Sequence, residues 1–226
     1  MGKSSLLRYL SSGYESEDTC SVSYITDSRK FKTSFDFLKL ISADYGIAPK
    51  RSQTAQMDAI EEFLGTNLDA RKTTLICIDE AQRLNMESLE LVRALLNYET
   101  NTEKLVQIII SGQLDLRERL LERRYKAFRS RIVAPLVMQP MTAEETVAMV
   151  QFRLDGWGLD NPFSAEAMLR IHELSGGVPR EILSLCQQSY DLAADVGRDC
   201  VRSTDVERAF ETLQIGTQEP VLEAAV

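Results

Sequence analysis

The spacing of hydrophobic residues changes repeatedly along the first part of the chain, between a spacing typical of strands and one typical of helices. Short runs rich in β-branched residues predict strands at 21–26 (SVSYIT), 73–78 (TTLICI), 105–111 (LVQIIIS) and 131–137 (RIVAPLV). Apolar residues three and four positions apart predict helices over 4–10, 34–45 and 53–64, and another that Asn85 caps. Strands that alternate with helices predict an α/β fold with a parallel, doubly wound sheet.

Beyond about residue 140 only helical spacing remains. Thr142 and Glu145 form a capping box for a helix over 142–155. Three further helix starts are marked by Ser164, Pro179 and either Ser203 or Thr204. We therefore predict an α/β domain over 1–137, a small all-helical domain over 138–215, and a loosely ordered tail over 216–226.

Composition and charge narrow the possible functions. The chain has 226 residues and a formal net charge of -8, so its overall field does not attract nucleic acid, and contact with DNA or RNA would need a local basic patch. The four cysteines have no metal-ligand spacing. No apolar run approaches the ~20 residues that span a bilayer, and no signal-peptide pattern opens the chain. These features predict a cytoplasmic protein without a membrane span.

The chain opens with Gly2-Lys3-Ser4-Ser5 and continues directly into a predicted helix. G-K-[ST] is the second half of the P-loop pattern, in which the lysine contacts the β- and γ-phosphates and the next hydroxyl reaches Mg²⁺. We therefore predict that these four residues bind the phosphates of ATP, with Ser4 also a magnesium ligand. The triplet alone is weak evidence, because average composition gives it in roughly one chain in ten of this size.

An acidic pair, Asp79-Glu80, directly follows the apolar run 73–78. Ligands of open α/β sheets lie outside the carboxyl ends of the strands, where this pair is expected. Asp79 is predicted to hold Mg²⁺ through water, and Glu80 to polarise the water that attacks the γ-phosphate. The alternative is that the pair only begins a solvated loop.

The next predicted strand ends in the polar sequence Ser111-Gly112-Gln113. Either Ser111 or Gln113 is a candidate contact for the γ-phosphate or the attacking water. An ordinary junction between a strand and a turn, with Gly112 in the turn, explains the same residues equally well.

Residues 117–131 are strongly basic, in contrast to the acidic chain as a whole. The cations are Arg117, Arg119, Arg123, Arg124, Lys126, Arg129 and Arg131. Three interpretations remain open: a solvated helix face, a stripe that faces DNA, or an arginine that reaches a phosphate on a neighbouring subunit. For the last, Arg131 and Arg129 are the candidates.

The turn S-G-G-V-P-R places Arg180 in the first turn of a predicted helix, where the helix dipole disfavours a cation. A bound phosphate would offset that cost, and a hydrated surface arginine is the alternative. The single histidine, His172, has no partner at metal-ligand spacing and is interpreted as structural or solvated.

These motifs stand in a fixed order: G-K-S-S, L-I-C-I-D-E-A-Q, I-I-S-G-Q, F-R-S-R-I and S-G-G-V-P-R-E-I. That order resembles the AAA+ ATPases of the ExeA type, the general secretion pathway protein A family, and is similar to ATPases that partner DNA transposases, including those of phage Mu. The resemblance covers Gly2 to about Leu213. It implies a P-loop NTPase sheet with a helical lid, and Walker A roles for Lys3 and Ser4.

The resemblance also implies roles for the later motifs. It implies Walker B roles for Asp79 and Glu80, a first sensor at Ser111 or Gln113, an arginine finger at Arg131 with Arg129 in reserve, and a second sensor at Arg180. Members of the family assemble into rings or filaments, in which a neighbour completes the ATP site. The implied partners are therefore ATP, Mg²⁺ and further copies of the chain.

The chain departs from the family at its start. Family members have a strand and a glycine-rich loop before G-K-[ST], and that strand lies between the strands predicted here at 105–111 and 131–137. Without it, two buried strands would leave backbone groups unpaired, at about 1–3 kcal/mol for each desolvated group. We therefore expect Met1 to be an internal start or the edge of a fragment. A stop codon just upstream in the genomic DNA, with no strand-loop pattern behind it, would contradict this.

The leading hypothesis is an ATP-hydrolysing switch that assembles on a partner, either a DNA transposition complex with its transposase or a secretion assembly. The absence of an apolar span slightly favours the transposition type. The alternative is a degenerate module that binds nucleotide or protein without hydrolysis.

Overall fold

The computed structural model describes residues 2–16, 18–26 and 32–215, so Met1 and the predicted tail over 216–226 lie outside the described residues. The strands are β1 Cys20–Ile25, β2 Thr73–Ile78 and β3 Val106–Ile110. The helices are α1 Lys3–Glu15, α2 Ser34–Asp44, α3 Gln53–Asp69, α4 Met86–Leu95, α5 Leu114–Leu121, α6 Lys126–Arg129, α7 Ala143–Gly156, α8 Ala165–Ser175, α9 Pro179–Asp195 and α10 Ser203–Ile215. Short 3₁₀ turns occupy Ala81–Arg83 and Arg123–Tyr125.

Helix starts follow the side chains that cap them. Asn85 accepts a hydrogen bond from Ser88 N and begins α4, and Ser164 caps α8 in the same way. Thr142 and Glu145 form the predicted capping box of α7, which satisfies otherwise unpaired N–H groups in the first turn. Pro179 opens α9 at its first position, so the predicted helix starts are confirmed at these sites.

Within the described residues, three parallel strands form one sheet in the order β1-β2-β3. Residues of β2 alternate between two cores: Ile76 and Ile78 belong to a large cluster with α2, α3 and α4, whereas Leu75 and Cys77 join Leu7 of α1. Helices therefore cover both faces, which explains why β2 is apolar at every position from Leu75 to Ile78. The predicted α/β fold, a parallel sheet flanked by helices, is confirmed.

The predicted strand at 131–137 is wrong. No residue of this segment forms a strand, and its apolar side chains face solvent, with Val133 96% and Leu136 80% exposed. A strand needs a neighbour to pair its backbone groups, and β3 pairs only with β2 in the described sheet. The strand that the resemblance places between β3 and this segment is not among the described residues, and Pro135 lacks a donor for a ladder.

The described residues divide into two compact units: one lies within Lys3–Leu136, and the other contains Gly2 and residues 137–215. In the second unit, α7 to α10 surround a core of their own, which includes Ile171, Ile182 and Val206. Gly177, in the turn before α9, has a φ of +70° and receives a hydrogen bond on its carbonyl from Met141 N at 2.8 Å. This bond ties the segment before α7 to the turn that starts α9.

A buried carboxylate organises the last helix of the second unit. Asp205 is 1% exposed and accepts hydrogen bonds from both Arg198 Nη atoms, at 2.7 and 2.5 Å, and from Arg202 N at 3.0 Å. The hydrogen bonds from Arg198 hold the pKa of Asp205 below its usual range.

None of the helices in the described parts of the chain is both long and apolar enough to cross a membrane. Burial raises the pKa of the Cys77 thiol, beside α1, to about 11 and that of the Cys186 thiol, in the core of the second unit, to about 12. Both thiols are therefore unreactive packing groups at neutral pH.

We predict that Gly177→Ala destabilises the protein by about 2–4 kcal/mol, because the new Cβ would combine a left-handed backbone with overpacking. That Cβ would lie 2.2 Å from Met141 O. Gly176→Ala is the control, since its φ of +57° is also left-handed but its Cβ meets open space. It should cost about 1–2 kcal/mol. Denaturant unfolding measures both, and equal costs would contradict the contact with Met141.

We predict that Asp205 contributes stability above pH ~4, the unfolded value, and that this contribution disappears as the pH falls through its lower folded pKa. Asp205→Asn should therefore be less stable than the parent at pH 7, and the difference should shrink as the pH falls through the lowered folded pKa of Asp205. Asp160→Asn at an exposed position is the control. A difference between parent and Asp205→Asn that stays constant with pH would contradict the ionised pair.

Candidate functional site

The carboxyl ends of β2 and β3 are joined by backbone hydrogen bonds that continue past the strands. Ser111 N donates to Ile78 O at 2.8 Å, and Ala81 N donates to Ser111 O at 2.9 Å. The parallel pairing therefore places Asp79 and Glu80 beside the polar end of β3. This is the edge of the sheet at which ligands of open α/β folds bind.

Asp79 is a buried carboxylate at this edge, with only 6% of its surface exposed. Its N–H donates to Ile25 O at 2.9 Å, and its Oδ1 accepts from Glu80 N at 2.9 Å. No group of three or more His, Cys, Asp or Glu side chains suited to a metal occurs in the described ranges. A single buried carboxylate fits Mg²⁺, which keeps several waters and takes further oxygens from phosphates.

Glu80 adopts a backbone conformation that residues other than glycine avoid. Its φ is 52° and its ψ 35°, in the left-handed region, at a cost of about 1–2 kcal/mol. Of the described residues other than glycine, only Arg71 shares a positive φ. The carboxylate Oε2 accepts a hydrogen bond from Gln82 Nε2 at 2.7 Å, and Arg83 Nε lies 4.0 Å from the same oxygen. Such strain is concentrated at functional sites.

Helix α1 packs against the same part of the sheet. Leu7 is buried in a cluster with Leu75 and Cys77 of β2. Burial and the nearby charge of Asp79 raise the pKa of Tyr24, and Arg8 opposes them, so α1 and Asp79 both lie near this phenol. The first turn of α1, with the half-buried Lys3 and Ser4, precedes Leu7 by one helical turn, or about 5 Å along the axis. Contact of these residues, and of Gly2 and Ser5, with phosphate stays a prediction.

The two candidates at the end of β3 differ in their surroundings. The Oγ of Ser111 is buried and has no hydrogen-bond partner in the described part of the chain. Gln113 begins α5 with an exposed side chain that makes no capping bond, and its N–H donates to Gln82 Oε1 at 3.2 Å. A buried hydroxyl without a partner is a candidate contact for a polar ligand, so the geometry favours Ser111.

Gln82 was not among the residues predicted from the sequence, although it hydrogen-bonds to groups on both sides of the site. Its amide contacts Glu80 and Gln113, and its backbone carbonyl accepts from Arg119 Nη1 at 3.0 Å. The D-E-A-Q sequence contained this glutamine, but spacing alone does not reveal a side chain that folds back over two residues. Arg119 appeared only as one cation of the basic run.

The arginine-finger candidates both make contacts within the chain. Arg129 Nη1 donates to Leu120 O at 2.6 Å, which ties α6 to α5. Arg131 is exposed, and its Nη2 donates to Asn97 Oδ1 at 2.9 Å. Arg131 is thus the more accessible of the two, and the role of either in a neighbouring site stays a prediction.

Arg180 lies in the first turn of α9, in the second unit, and is exposed. It forms no hydrogen bond or ion pair with any residue that the structure describes. Its role as a second sensor stays a prediction. His172 Nδ1 lies 3.1 Å from Thr146 Oγ1, a contact within the second unit that agrees with a structural histidine.

Known proteins resemble this chain in both sequence and fold. A family model described as an AAA domain matches residues 1–120. The General secretion pathway protein A of Aeromonas hydrophila is 36% identical over 133 residues, which make up 58% of this chain and 24% of that protein. The chain thus spans about a quarter of the length of the curated relatives that it matches. The resemblance to ExeA-type AAA+ ATPases is confirmed.

Two solved structures share the fold. The ORC2 protein of Aeropyrum pernix, in ADPNP-ADP complexes, has a TM-score of 0.65 and 15% identity, and the match covers 96% of this chain and 60% of that chain. Drosophila ORC bound to DNA has a TM-score of 0.64 and 22% identity, covering 97% and 56%. At such identities the likeness shows the fold alone.

We predict that Gly112→Ala destabilises the protein by about 1–3 kcal/mol through overpacking beside Gln82. The added Cβ would lie 2.6 Å from Leu116 Cδ2 and 3.3 Å from Gln82 Oε1. Gly65→Ala is the matched control, because it lies inside α3 with open space around it and should gain about 0.5–1 kcal/mol. Denaturant unfolding measures both variants, and a stabilised Gly112→Ala would contradict this packing.

Proposed function

This chain belongs to the AAA domain family, as the match to residues 1–120 shows, and on that premise we propose that it binds ATP with Mg²⁺ and hydrolyses it to ADP and phosphate. The observation that carries the proposal is the acidic pair at the end of β2. Asp79 is buried and Glu80 is held in a strained conformation, both beside the end of β3. An acidic pair at this edge serves phosphoryl chemistry in the P-loop fold.

The phosphates would be bound by the start of α1. Lys3 supplies a positive charge for the β- and γ-phosphates, and free N–H groups of the first turn point toward phosphate oxygens. Asp79 and Ser4 are the residues that would hold Mg²⁺, which supplies charge neutralisation of the phosphate oxygens. The fit rests on Asp79, whose Oδ1 is bonded to Glu80 N while the carboxylate retains acceptor capacity.

Hydrolysis needs a base for the attacking water. Glu80 accepts a proton from water as the water oxygen bonds to the γ-phosphorus, and the bond from that phosphorus to the bridging oxygen breaks to release ADP. The buried Ser111 hydroxyl, or the Gln113 amide, would orient this water or the γ-phosphate. Both lie at the end of the strand next to β2.

A second copy of the chain would supply a further positive charge to the γ-phosphate. We propose that Arg131 contacts the γ-phosphate bound to a neighbour in a ring or filament, because it is exposed and its partner Asn97 is also at the surface. Arg129 is the reserve, although its bond to Leu120 O favours a structural role. A guanidinium supplied in trans accelerates hydrolysis by about 10³–10⁵.

The cellular role proposed is an assembly switch in the cytoplasm, acting on a secretion complex or on a DNA transposition complex. Similarity to the General secretion pathway protein A supports the first. The exposed cations Arg117, Arg123 and Lys126 support contact with DNA or a DNA-bound transposase, and the fold is shared with an ORC that was solved bound to DNA. Retention of the ATP-bound protein on DNA would favour transposition, and loss of envelope-complex assembly on deletion would favour secretion.

We predict that Glu80→Gln binds ATP with an affinity within about twofold of the parent, while phosphate release falls about 100-fold or more, because the general base is lost. Isothermal titration measures binding, and phosphate release under saturating ATP measures turnover. Glu87→Gln, at an exposed position in the first turn of α4, is the control and should behave like the parent.

Two results would contradict parts of this assignment. Equal phosphate release from Glu80→Gln and the parent would remove Glu80 from the reaction. A parent that binds ATP but releases no phosphate would favour the non-hydrolysing binding module.

A further inference from the structure

The side chain of Gln82 uses both ends of its amide on chemically different partners. Its Nε2 donates to Glu80 Oε2 at 2.7 Å, and its Oε1 accepts from Gln113 N at 3.2 Å. One partner is the carboxylate assigned to the attacking water, and the other is the backbone that begins α5. A carboxylate can replace the acceptor end of an amide but not its donor end, so a glutamate at this position could not serve both partners at neutral pH.

The surrounding residues are shaped to hold this side chain. A Cβ at Gly112 would lie 2.6 Å from Leu116 Cδ2 and 3.3 Å from Gln82 Oε1, so the glycine leaves room for both the Leu116 side chain and the amide. Arg119, on α5, donates from Nη1 to the Gln82 carbonyl at 3.0 Å. Its Nε and Nη2 are also buried, without a hydrogen-bond partner in the described ranges, so the bond to Gln82 O is the one hydrogen bond of the Arg119 guanidinium there.

The backbone of Glu80 explains why a restraint is needed. The left-handed backbone of Glu80, at the start of a loop, costs conformational energy. Without the hydrogen bond from Gln82, the Glu80 side chain would sample several rotamers. The bond from Gln82 fixes one carboxylate oxygen and leaves the other for a water.

We propose that Gln82 is a positioning residue of the hydrolytic site. Its side chain holds the Glu80 carboxylate at a fixed position relative to the end of β3 and the start of α5. This role rests on the hydrolysis proposed above. It assigns a function to the fourth residue of the D-E-A-Q motif and to Gly112, neither of which contacts phosphate in the proposed mechanism. It also means that Gln82 links Glu80, the proposed base, to α5, which carries part of the basic run.

Two substitutions separate the two bonds. Gln82→Leu removes both at similar volume, whereas Gln82→Glu keeps an acceptor for Gln113 N and loses the donor to Glu80. We expect both to lower kcat on the order of tenfold or more, with the ATP Kd within about twofold of the parent, since a hydrogen bond to a charged group is lost. Gln82→Glu should have the lower kcat of the two variants, because it places a second carboxylate beside Glu80.

Hydrogen exchange at the Gln113 amide gives a readout that is independent of turnover. Exchange should be faster in Gln82→Leu than in the parent, and close to the parent in Gln82→Glu. Gln53→Leu and Gln53→Glu, at an exposed position in the first turn of α3, are the matched controls and should leave both readouts unchanged.

The outcomes distinguish this role from the proposed hydrolysis. A parent that binds ATP without releasing phosphate contradicts the hydrolysis. A parent that turns over, with Gln82→Glu and Gln82→Leu at its kcat, overturns the role of Gln82 alone. Lowered kcat with an equally weakened ATP affinity would also overturn it, because general loosening of the site, and not placement of Glu80, would then explain the loss.

Discussion

Parallel pairing of β2 with β3, extended by two backbone hydrogen bonds beyond the strands, determines the geometry of the whole candidate site. Ser111 N donates to Ile78 O, and Ala81 N donates to Ser111 O. These bonds hold the loop after β2 against the loop after β3 through the backbone alone. The chain must turn sharply between Asp79 and Ala81 to make the second bond. Glu80 lies in that turn, which accounts for its left-handed backbone, and the packing of Ala81 and Leu84 in the core stabilises it.

Much of the fold was predictable from the sequence, because the signals that carry it are local. The continuous apolar run of β2 reflects burial on both faces, and its predicted bounds, 73–78, agree with the structure. Caps such as Asn85 and Thr142 depend on one side chain and an N–H three residues away, so they too are visible in sequence. The acidic pair follows from the same logic, since a parallel strand must end at the ligand-binding edge.

The sequence could not predict features that depend on neighbours in space. Residues 131–137 have the composition of a strand, but a strand forms only where another offers its backbone groups, and no described strand lies next to β3 on its open side. Gln82 looks like an ordinary polar residue in the sequence. Its proposed role depends on its hydrogen bonds to Glu80 and Gln113, which only the fold reveals. Neither outcome is encoded in periodicity, because each depends on which loops the sheet brings together.

We propose that one nucleotide with its divalent cation binds at the edge formed by Asp79, the end of β3 and the start of α1. Paramagnetic broadening of backbone amide signals by Mn²⁺ with ATP, in place of Mg²⁺, measures this directly. Binding at this edge predicts that the amides of residues 3–5, 79–82 and 111–113 broaden first, and that Asp79→Asn greatly weakens the effect. Broadening centred elsewhere in the chain, or the same broadening in Asp79→Asn, would contradict it.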